Sequence, residues 1–214
     1  MISVVLADDH EMVRAGFKMI LDKDPNIEVV GEAAEGTQAY ALVAARKPDI
    51  LLLDLSMPPA QSGLVACEKV VRDFPDTLVI ILTMFAEPEY LYYTIRKGAK
   101  GYLLKSATPA ELLRAIHVVH NGDSYIHPKM MEALAKFLAE GGKKFEENLE
   151  QLTPREMETL VLLARGYTNR EISERIFLSV KTVEAHRAKI YAKLGFTNRA
   201  ELVEFALRHH LLEL

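Results

Sequence analysis

Short apolar runs alternate with amphipathic segments along the first 122 residues of the chain. Each run has the composition of a buried strand, and each is followed by a segment whose apolar residues recur with helical spacing. Five strands alternating with five helices are typical of an α/β fold with a doubly wound parallel sheet. The predicted strands are 2–7, 27–33, 50–54, 77–82 and 101–104, and the predicted helices are 11–21, 36–46, 63–74, 88–97 and 108–120.

From residue 149 onward the helical spacing continues and no strand pattern appears. Thr153, Pro154 and Glu156 have the arrangement of a capping box that opens a helix. The second and third helices, joined by Phe177 and Leu178, fit a helix-turn-helix. This pattern predicts an all-α domain of four helices. They are expected at 153–166, 168–176, 179–194 and 198–209.

The stretch between these two regions lacks the regular alternation of apolar runs and helical segments. Residues 128–138 can form a helix, and the pair Gly141 and Gly142 amid charged residues is expected to break it. We therefore predict three segments. They are a first domain at 1–122, a helical and flexible linker at 123–148, and a second domain at 149–214.

Charge and cysteine content narrow the class of protein. The net charge of −4 divides into −5 for the first domain with the linker and +1 for the second domain, so charge alone does not indicate a nucleic-acid partner. The single cysteine, Cys67, excludes a disulfide framework and fits a reducing compartment. No apolar run is long enough to span a membrane. We expect a soluble cytoplasmic protein without a membrane partner.

Polar residues stand at the ends of four predicted strands. The first strand runs into Asp8 and Asp9, the third ends in Asp54, the fourth in Thr83 and the fifth in Lys105. Asp54 alone could simply cap a loop, but the carboxyl ends of parallel strands meet at one rim of the sheet. Three clustered carboxylates need cations, which a lysine and a hard divalent ion such as Mg²⁺ can supply. A carboxylate beside such cations can also attack a phosphoryl group.

These residues give residues 1–122 a close resemblance to the receiver domains of two-component signalling, which have a flavodoxin-like sheet. The resemblance implies that Asp8, Asp9 and Asp54, with the backbone carbonyl of Ser56, hold Mg²⁺. It implies that Asp54 accepts the phosphoryl group. It also implies that Thr83 and Lys105 contact that group and that Tyr102 is an aromatic switch. The loop at 57–63 departs from the family because it is one residue longer and has Ser62 where an acid is common.

The third helix of the second domain has two distinct faces. Val183, Ile190 and Leu194 are spaced to face a core. The opposite stripe is made of small and charged residues, which either form a solvated face or allow close approach to a DNA groove. Its members are Lys181, Glu184, Ala185, Ala188 and Ala192, with Lys189 and Lys193 beside them.

Motifs spread over the second domain resemble the LuxR-type DNA-binding domain. They include Ala164-x-Gly166-Tyr167-Thr168-Asn169 and Leu178-Ser179-x-x-Thr182-Val183-x-x-His186. The resemblance implies DNA contacts by residues of the second and third helices. Those residues are Thr168, Asn169, Lys181, Thr182, Glu184, Ala185, His186, Ala188 and Lys189. Glu184 departs from the motif because a lysine is usual there, and a glutamate can accept from cytosine but repels phosphate.

Together the two resemblances identify the chain as a member of the NarL/FixJ family of response regulators. They imply a transcription regulator that receives a phosphoryl group on Asp54 from a sensor histidine kinase, dimerises and binds promoter DNA. RNA polymerase is a further partner that this layout implies. A hydrolase using an aspartyl phosphate would need a second acid two residues after Asp54, where this chain has Ser56. A phosphate-independent regulator would have a degraded acidic site. We therefore expect a phosphorylation-dependent regulator and not an enzyme.

Overall fold

The computed structural model describes residues 1–57, 63–84, 86, 88–139 and 151–208. The described chain divides into two compact units. One comprises Met1–Ala86 and Tyr90–Met131, and the other comprises Glu87–Glu89 and Glu132–Leu214. Within the described ranges, no helix is long and apolar enough to cross a membrane.

The first unit is built on a parallel sheet in the order β2-β1-β3-β4-β5-β6. Its strands are β1 (Ile2–Ala7), β2 (Ile27–Ala33), β3 (Ile50–Leu53), β4 (Leu78–Thr83), β5 (Gly101–Leu104) and β6 (Tyr125–Ile126). The helices between them are α1 (Glu11–Leu21), α2 (Gly36–Arg46), α3 (Gly63–Asp73), α4 (Pro88–Arg96) and α5 (Pro109–His120). The first five strands have the order 2-1-3-4-5 that is typical of flavodoxin-like sheets. The predicted doubly wound parallel sheet is therefore confirmed.

The prediction of five strands is wrong by one. β6 pairs in parallel with β5, and the N–H of Tyr125 donates to the carbonyl of Lys100 at 2.9 Å. Two residues are too few to show a strand period in the sequence, so only the pairing reveals them. The sheet thus extends into the stretch that the sequence assigned to the linker. The helix predicted at 128–138 is present as α6 (Pro128–Phe137), while Gly141 and Gly142 lie outside the described residues.

The core of this unit follows from strand alternation. Val4 and Leu6 of β1, Ile50 and Leu52 of β3, and Ile80 of β4 are buried in one cluster. The cluster also contains Leu21 of α1 and four residues of α5, namely Leu112, Ala115, Ile116 and Val119. Because successive side chains of a strand point to opposite faces, this set marks the face that α1 and α5 cover. Every residue of β3 is fully buried, which matches its continuous apolar run.

Residues 151–208 of the second unit form the predicted four helices. They are α7 (Pro154–Ala164), α8 (Asn169–Arg175), α9 (Val180–Leu194) and α10 (Arg199–Arg208). Thr153 and Glu156 form the predicted capping box at the start of α7, and Thr168 and Glu171 form another at the start of α8. Val183 and Ile190 of α9 are fully buried and confirm two residues of its predicted core face, whereas Leu194, the third, is half-buried.

Candidate functional site

The acidic rim of the sheet is assembled by strand register. Ala7 of β1 pairs with Leu53 of β3, so the residues that follow, Asp8 and Asp54, come side by side. The N–H of Asp54 donates to the carbonyl of Ala7 at 2.9 Å, which holds the two strand ends together. On the other side of Asp54, Lys105 follows β5, and its N–H donates to the carbonyl of Thr83 at 2.7 Å. The convergence expected from parallel strands is present.

The ammonium of Lys105 joins two of the carboxylates. Its Nζ lies 2.7 Å from Oδ2 of Asp54 and 2.7 Å from Oδ2 of Asp8. The side chains of Asp8 and Asp54 are 2% and 3% exposed, so both ion pairs are screened little by solvent. Burying two carboxylates this deeply is costly without a shared cation, and Lys105 supplies one positive charge for two negative ones.

Burial sets the protonation behaviour of this pair. Loss of solvation raises the pKa of Asp54 to about 6, although the hydrogen bond and charge of Lys105 act in the opposite direction. For Lys105, burial favours the neutral amine, but the hydrogen bonds to Asp54 and Asp8 outweigh it and its pKa is raised. At neutral pH, Asp54 is therefore an ionised but poorly solvated carboxylate, which is the state that a nucleophile requires.

A second cluster of charged side chains lies next to this pair, at the end of β1. Asp8, Asp9 and His10 each present one possible ligand atom, and these atoms lie within 4.8 Å of one another. Nδ1 of His10 is 2.6 Å from Oδ1 of Asp9, and the N–H of His10 donates to Oδ1 of Asp8 at 2.9 Å. Carboxylate oxygens suit Mg²⁺, and their charge exceeds what Lys105 offsets, so the donor set fits a hard divalent cation.

The remaining predicted site residues of this domain are placed as follows. Thr83 is fully buried at the end of β4, and the Tyr102 ring is fully buried within β5. Ser56 is exposed, and its backbone N–H donates to the carboxylate of Asp54. Of the lengthened loop at 57–63, which was expected to distinguish this receiver, residues 58–62 lie outside the described residues.

Two residues near the site were not singled out from the sequence. Arg14 of α1 donates from Nη1 to the backbone carbonyl of Asp8 at 2.7 Å, which helps to position the acidic turn. Gly63, the first residue of α3, approaches the acceptor closely, because a Cβ on it would lie 1.9 Å from the carbonyl oxygen of Asp54. The signal for Gly63 was its place as the glycine that ends the loop at 57–63 after the acceptor, whereas Arg14 had none.

The predicted DNA-contacting stripe of α9 is on the surface of the second unit. Lys181, Glu184, Ala185, Ala188 and Lys189 are all exposed, on the side of the helix away from the buried residues. This face therefore has the small side chains and flanking charges that close approach to a groove requires.

Other residues predicted to contact DNA have additional structural roles. The Thr168 side chain caps α8, and the Thr182 hydroxyl lies 2.7 Å from that of Ser179, the N-cap of α9. His186 is half-buried with its Nδ1 shielded from solvent, and burial lowers its pKa, which keeps the imidazole neutral. Asn169 makes no side-chain hydrogen bond to another described residue. The DNA contacts of these four side chains stay predictions.

An ion pair between a buried glutamate and a partly exposed lysine links α7 to α9. Oε2 of Glu156, at the start of α7, lies 2.5 Å from Nζ of Lys193 near the end of α9. The same carboxylate accepts from the N–H of Thr153 at 2.8 Å. Burial alone would raise the pKa of Glu156, but the hydrogen bonds of Lys193 and Thr153 outweigh it and the pKa is lowered. Glu156 therefore joins the capping of α7 to the position of α9.

Replacing this glutamate gives a first prediction. Glu156→Gln should destabilise α9 by about 2 kcal/mol, because it leaves the Lys193 charge without its buried partner. Hydrogen exchange of the α9 amides in the full chain measures this local stability. Because the folded pKa of Glu156 is lowered from 4.5, its contribution is present above that pH and should disappear as the pH falls through the folded pKa.

The matched control is Glu174→Gln in α8. Glu174 pairs with Arg170 at 3.3 Å, but its side chain is 66% exposed, so the substitution should change exchange by less than about 0.5 kcal/mol. Equal effects of the two substitutions would show that the Glu156 pair does not hold α9 in place.

Comparison with known proteins agrees with this geometry. Residues 4–117 match the family model of the response regulator receiver domain, and residues 150–206 match that of bacterial regulatory proteins of the luxR family. The oxygen regulatory protein NreC of Staphylococcus carnosus is 48% identical over 214 residues, which cover 98% of this chain and 99% of the relative. NreC proteins of Staphylococcus aureus are also 48% identical.

Solved structures of response regulators are similar to this chain in fold. A LuxR-family response regulator from Aurantimonas is 31% identical with a TM-score of 0.61, covering 64% of this chain and 96% of that one. The structure of the response regulator RcsB in complex with DNA is 26% identical with a TM-score of 0.63, covering 97% and 98% of the two chains. The chain therefore belongs to the NarL/FixJ family of response regulators and is a phosphorylation-regulated transcription factor rather than an enzyme.

Proposed function

We propose that Asp54 is the residue that accepts the phosphoryl group, and that a sensor histidine kinase donates it. The observation that carries this assignment is the ammonium of Lys105 at 2.7 Å from both Asp54 and Asp8 at a buried rim. A carboxylate with its pKa raised to about 6 is reactive yet ionised at neutral pH.

The transfer follows from this arrangement. A carboxylate oxygen of Asp54 attacks the phosphorus, an O–P bond forms, and the N–P bond of the donor phosphohistidine breaks. After the transfer, the ammonium of Lys105 can pair with a phosphoryl oxygen instead of the Asp54 carboxylate. Thr83 and Lys105 adjoin along the sheet rim through a 2.7 Å backbone hydrogen bond, so a shift of one affects the other. We infer that the buried Tyr102, on the strand that Lys105 follows, responds to this shift.

We infer that Mg²⁺ is the cation that completes the site. Asp8, Asp9 and Asp54 would hold it together with the backbone carbonyl of Ser56. When bound, it would offset the carboxylate charge that Lys105 leaves and stabilise the charge on the transferring phosphoryl oxygens.

Replacing one proposed ligand tests the metal assignment. Asp9→Asn should weaken Mg²⁺ binding at least ~10-fold, because a carboxylate ligand becomes a neutral amide. Isothermal titration calorimetry of the full chain measures the affinity without any phosphoryl donor. Asp76→Asn, an exposed aspartate of the same domain, should leave the affinity unchanged. Unaltered binding by the Asp9 variant would remove Asp9 from the site.

The output of the switch is DNA binding by the second domain as a dimer. The RcsB–DNA complex and a structure of two RcsB dimers bound to DNA support this part of the proposal. We propose that α9 enters the major groove with Lys181, Glu184, Ala185, Ala188 and Lys189 toward the DNA. Thr168, Asn169, Thr182 and His186 are the proposed contacts at its margins. As a regulator acting on promoter DNA, the protein is proposed to work in the cytoplasm and to meet RNA polymerase there.

Exposure to a phosphoryl mimic tests the whole switch. Beryllofluoride with Mg²⁺ should convert monomers to dimers and raise DNA affinity by roughly 5- to 150-fold, the usual range of coupling between two sites. Analytical ultracentrifugation and fluorescence anisotropy with a DNA duplex measure the two effects. Mass and affinity that stay constant with beryllofluoride would show that the receiver does not control the second domain.

A further inference from the structure

A cleft between α7, α8, α9 and α10 lies beside the proposed groove-facing surface of the second unit. Its volume is about 210 Å³, and the buried side chains of Leu163 and Leu202 line its apolar part. Asn169, Arg187 and Arg199 contribute the polar part, together with aromatic rings that include Tyr191. No residue that lines this cleft is acidic.

Both arginines lack a carboxylate partner among the described residues. The guanidinium of Arg187 stacks 5.2 Å from the centre of the Tyr191 ring, and Nη2 of Arg199 donates to the carbonyl of Gly166 at 3.1 Å. Arg170 of the same unit, in contrast, is paired with Glu174. Two guanidinium groups that share a cleft without a counter-ion, beside a free amide of Asn169, form a site for an anion.

The position of Arg187 on α9 indicates which anion. Successive residues of an α-helix are about 100° apart, so Arg187 lies between the buried row of Val183 and Ile190 and the exposed row of Glu184 and Ala188. Lys189 lies at the opposite edge of the exposed face. A helix in the major groove has a phosphodiester strand along each of its edges. The cleft is therefore on the side of one strand and Lys189 is on the side of the other.

We propose that Arg187 and Arg199, with the amide of Asn169, bind a backbone phosphate of the DNA in this cleft. Guanidinium groups donate two parallel hydrogen bonds to phosphate, and the stacked Tyr191 and the Gly166 carbonyl hold the two groups in place for it. The apolar part of the cleft accommodates the adjoining deoxyribose. This inference rests on the proposed placement of α9 in the major groove, and it adds a second basic edge that offsets the repulsion of phosphate by Glu184.

The salt dependence of DNA binding by the full chain tests this site. Arg187→Gln and Arg199→Gln should each reduce the slope of log Kobs against log salt by up to about 0.9, the value for one whole phosphate contact, because each removes one of the two guanidinium groups on the shared phosphate. Binding should weaken to the same degree on a duplex selected by the wild type and on a random duplex. Arg72→Gln, which removes the same charge from an exposed site in the first domain, should not alter the slope. An unchanged slope for Arg187→Gln would overturn the proposal.

Two further measurements separate the alternatives. Titration with inorganic phosphate distinguishes a free anion from DNA. Micromolar binding that both substitutions abolish, with DNA slopes unchanged, would show a free-anion site and overturn the DNA assignment. Arg199→Lys keeps the positive charge, so its slope of log Kobs against log salt should be close to that of the wild type. A slope as low as that of Arg199→Gln would show that Arg199 only holds Gly166 in place through its hydrogen bond.

Failure of this site is distinguishable from failure of the proposed function. The slopes are measured without a phosphoryl donor, so an absent response to beryllofluoride would leave the arginine effect in place. Lys189→Gln should also lower the slope by about 0.9 if α9 enters the groove as proposed. A reduced slope for the arginine variants but not for Lys189→Gln would retain the phosphate site while rejecting that placement of α9.

Discussion

Asp54→Ala is expected to take up no phosphoryl group from acetyl phosphate, and its DNA affinity should not respond to beryllofluoride. The substitution removes the only proposed nucleophile. It should therefore abolish the expected rise in DNA affinity, roughly 5- to 150-fold, rather than reduce it. Lys105 keeps its ion pair with Asp8 at 2.7 Å, so the rim retains one of its two cationic contacts and the domain should stay folded. Intact-protein mass spectrometry measures the phosphoryl group, and anisotropy measures DNA affinity.

The control for this experiment is Asp76→Ala, because Asp76 is an exposed aspartate of the same domain. It should be phosphorylated and should respond to beryllofluoride like the wild type. Phosphorylation that persists in Asp54→Ala would assign the acceptor role to another carboxylate, and Asp8 at the same lysine would be the first to test.

Gly63→Ala is expected to destabilise the receiver domain by about 3 kcal/mol or more and to reduce phosphorylation with it. An alanine Cβ would lie 1.9 Å from the Asp54 carbonyl oxygen and 2.6 Å from Cα of Leu55. Both are backbone atoms in the segment that carries the acceptor, so neither can move aside like the end of a flexible side chain. The segment would have to shift, and the Gly63 N–H would lose its 3.1 Å hydrogen bond to the Leu55 carbonyl.

Gly16→Ala is the matched control, since it makes the same chemical change in another helix of the same domain. Apart from the backbone of its own helix and its two chain neighbours, nothing lies within 4 Å of the Cβ position on Gly16, which is exposed within α1. Alanine favours a helix over glycine by about 0.8–1 kcal/mol, so this variant should be more stable than the wild type. Chemical denaturation measures the free energy of unfolding of both variants, which should fall for Gly63→Ala and rise for Gly16→Ala. A Gly63→Ala protein as stable as the wild type would show that α3 does not start in contact with the acceptor segment.

Gly16 and Gly63 differ in a tertiary contact that the sequence around each of them does not reveal. Both residues lie in segments with helical spacing, and although Gly63 ends the loop that follows Asp54, the spacing of residues does not show that its backbone touches the acceptor segment. What distinguishes them is whether another part of the chain approaches the backbone closely. The same limit applies to β6, which is defined by its pairing with β5 rather than by any period of its own.

The sequence by itself determined the alternation of the first five strands with five helices and the groups that meet at the acidic rim. The physical reason is that β3 is continuously apolar and that parallel strands end at one edge, so Asp8, Asp54 and Lys105 had to converge. The core face of α9 was determined in the same way, because helical spacing follows from backbone geometry alone.

Only the tertiary structure decided contacts between residues that no local period relates. It brought Lys105 between Asp8 and Asp54 at equal distances, and it connected Glu156 to Lys193 across two helices. It also placed Arg187 and Arg199 in one cleft without an acid, although they lie on different helices. Such contacts depend on how helices and strands pack against each other, and packing is set by the fit of whole surfaces rather than by the spacing of residues along one element.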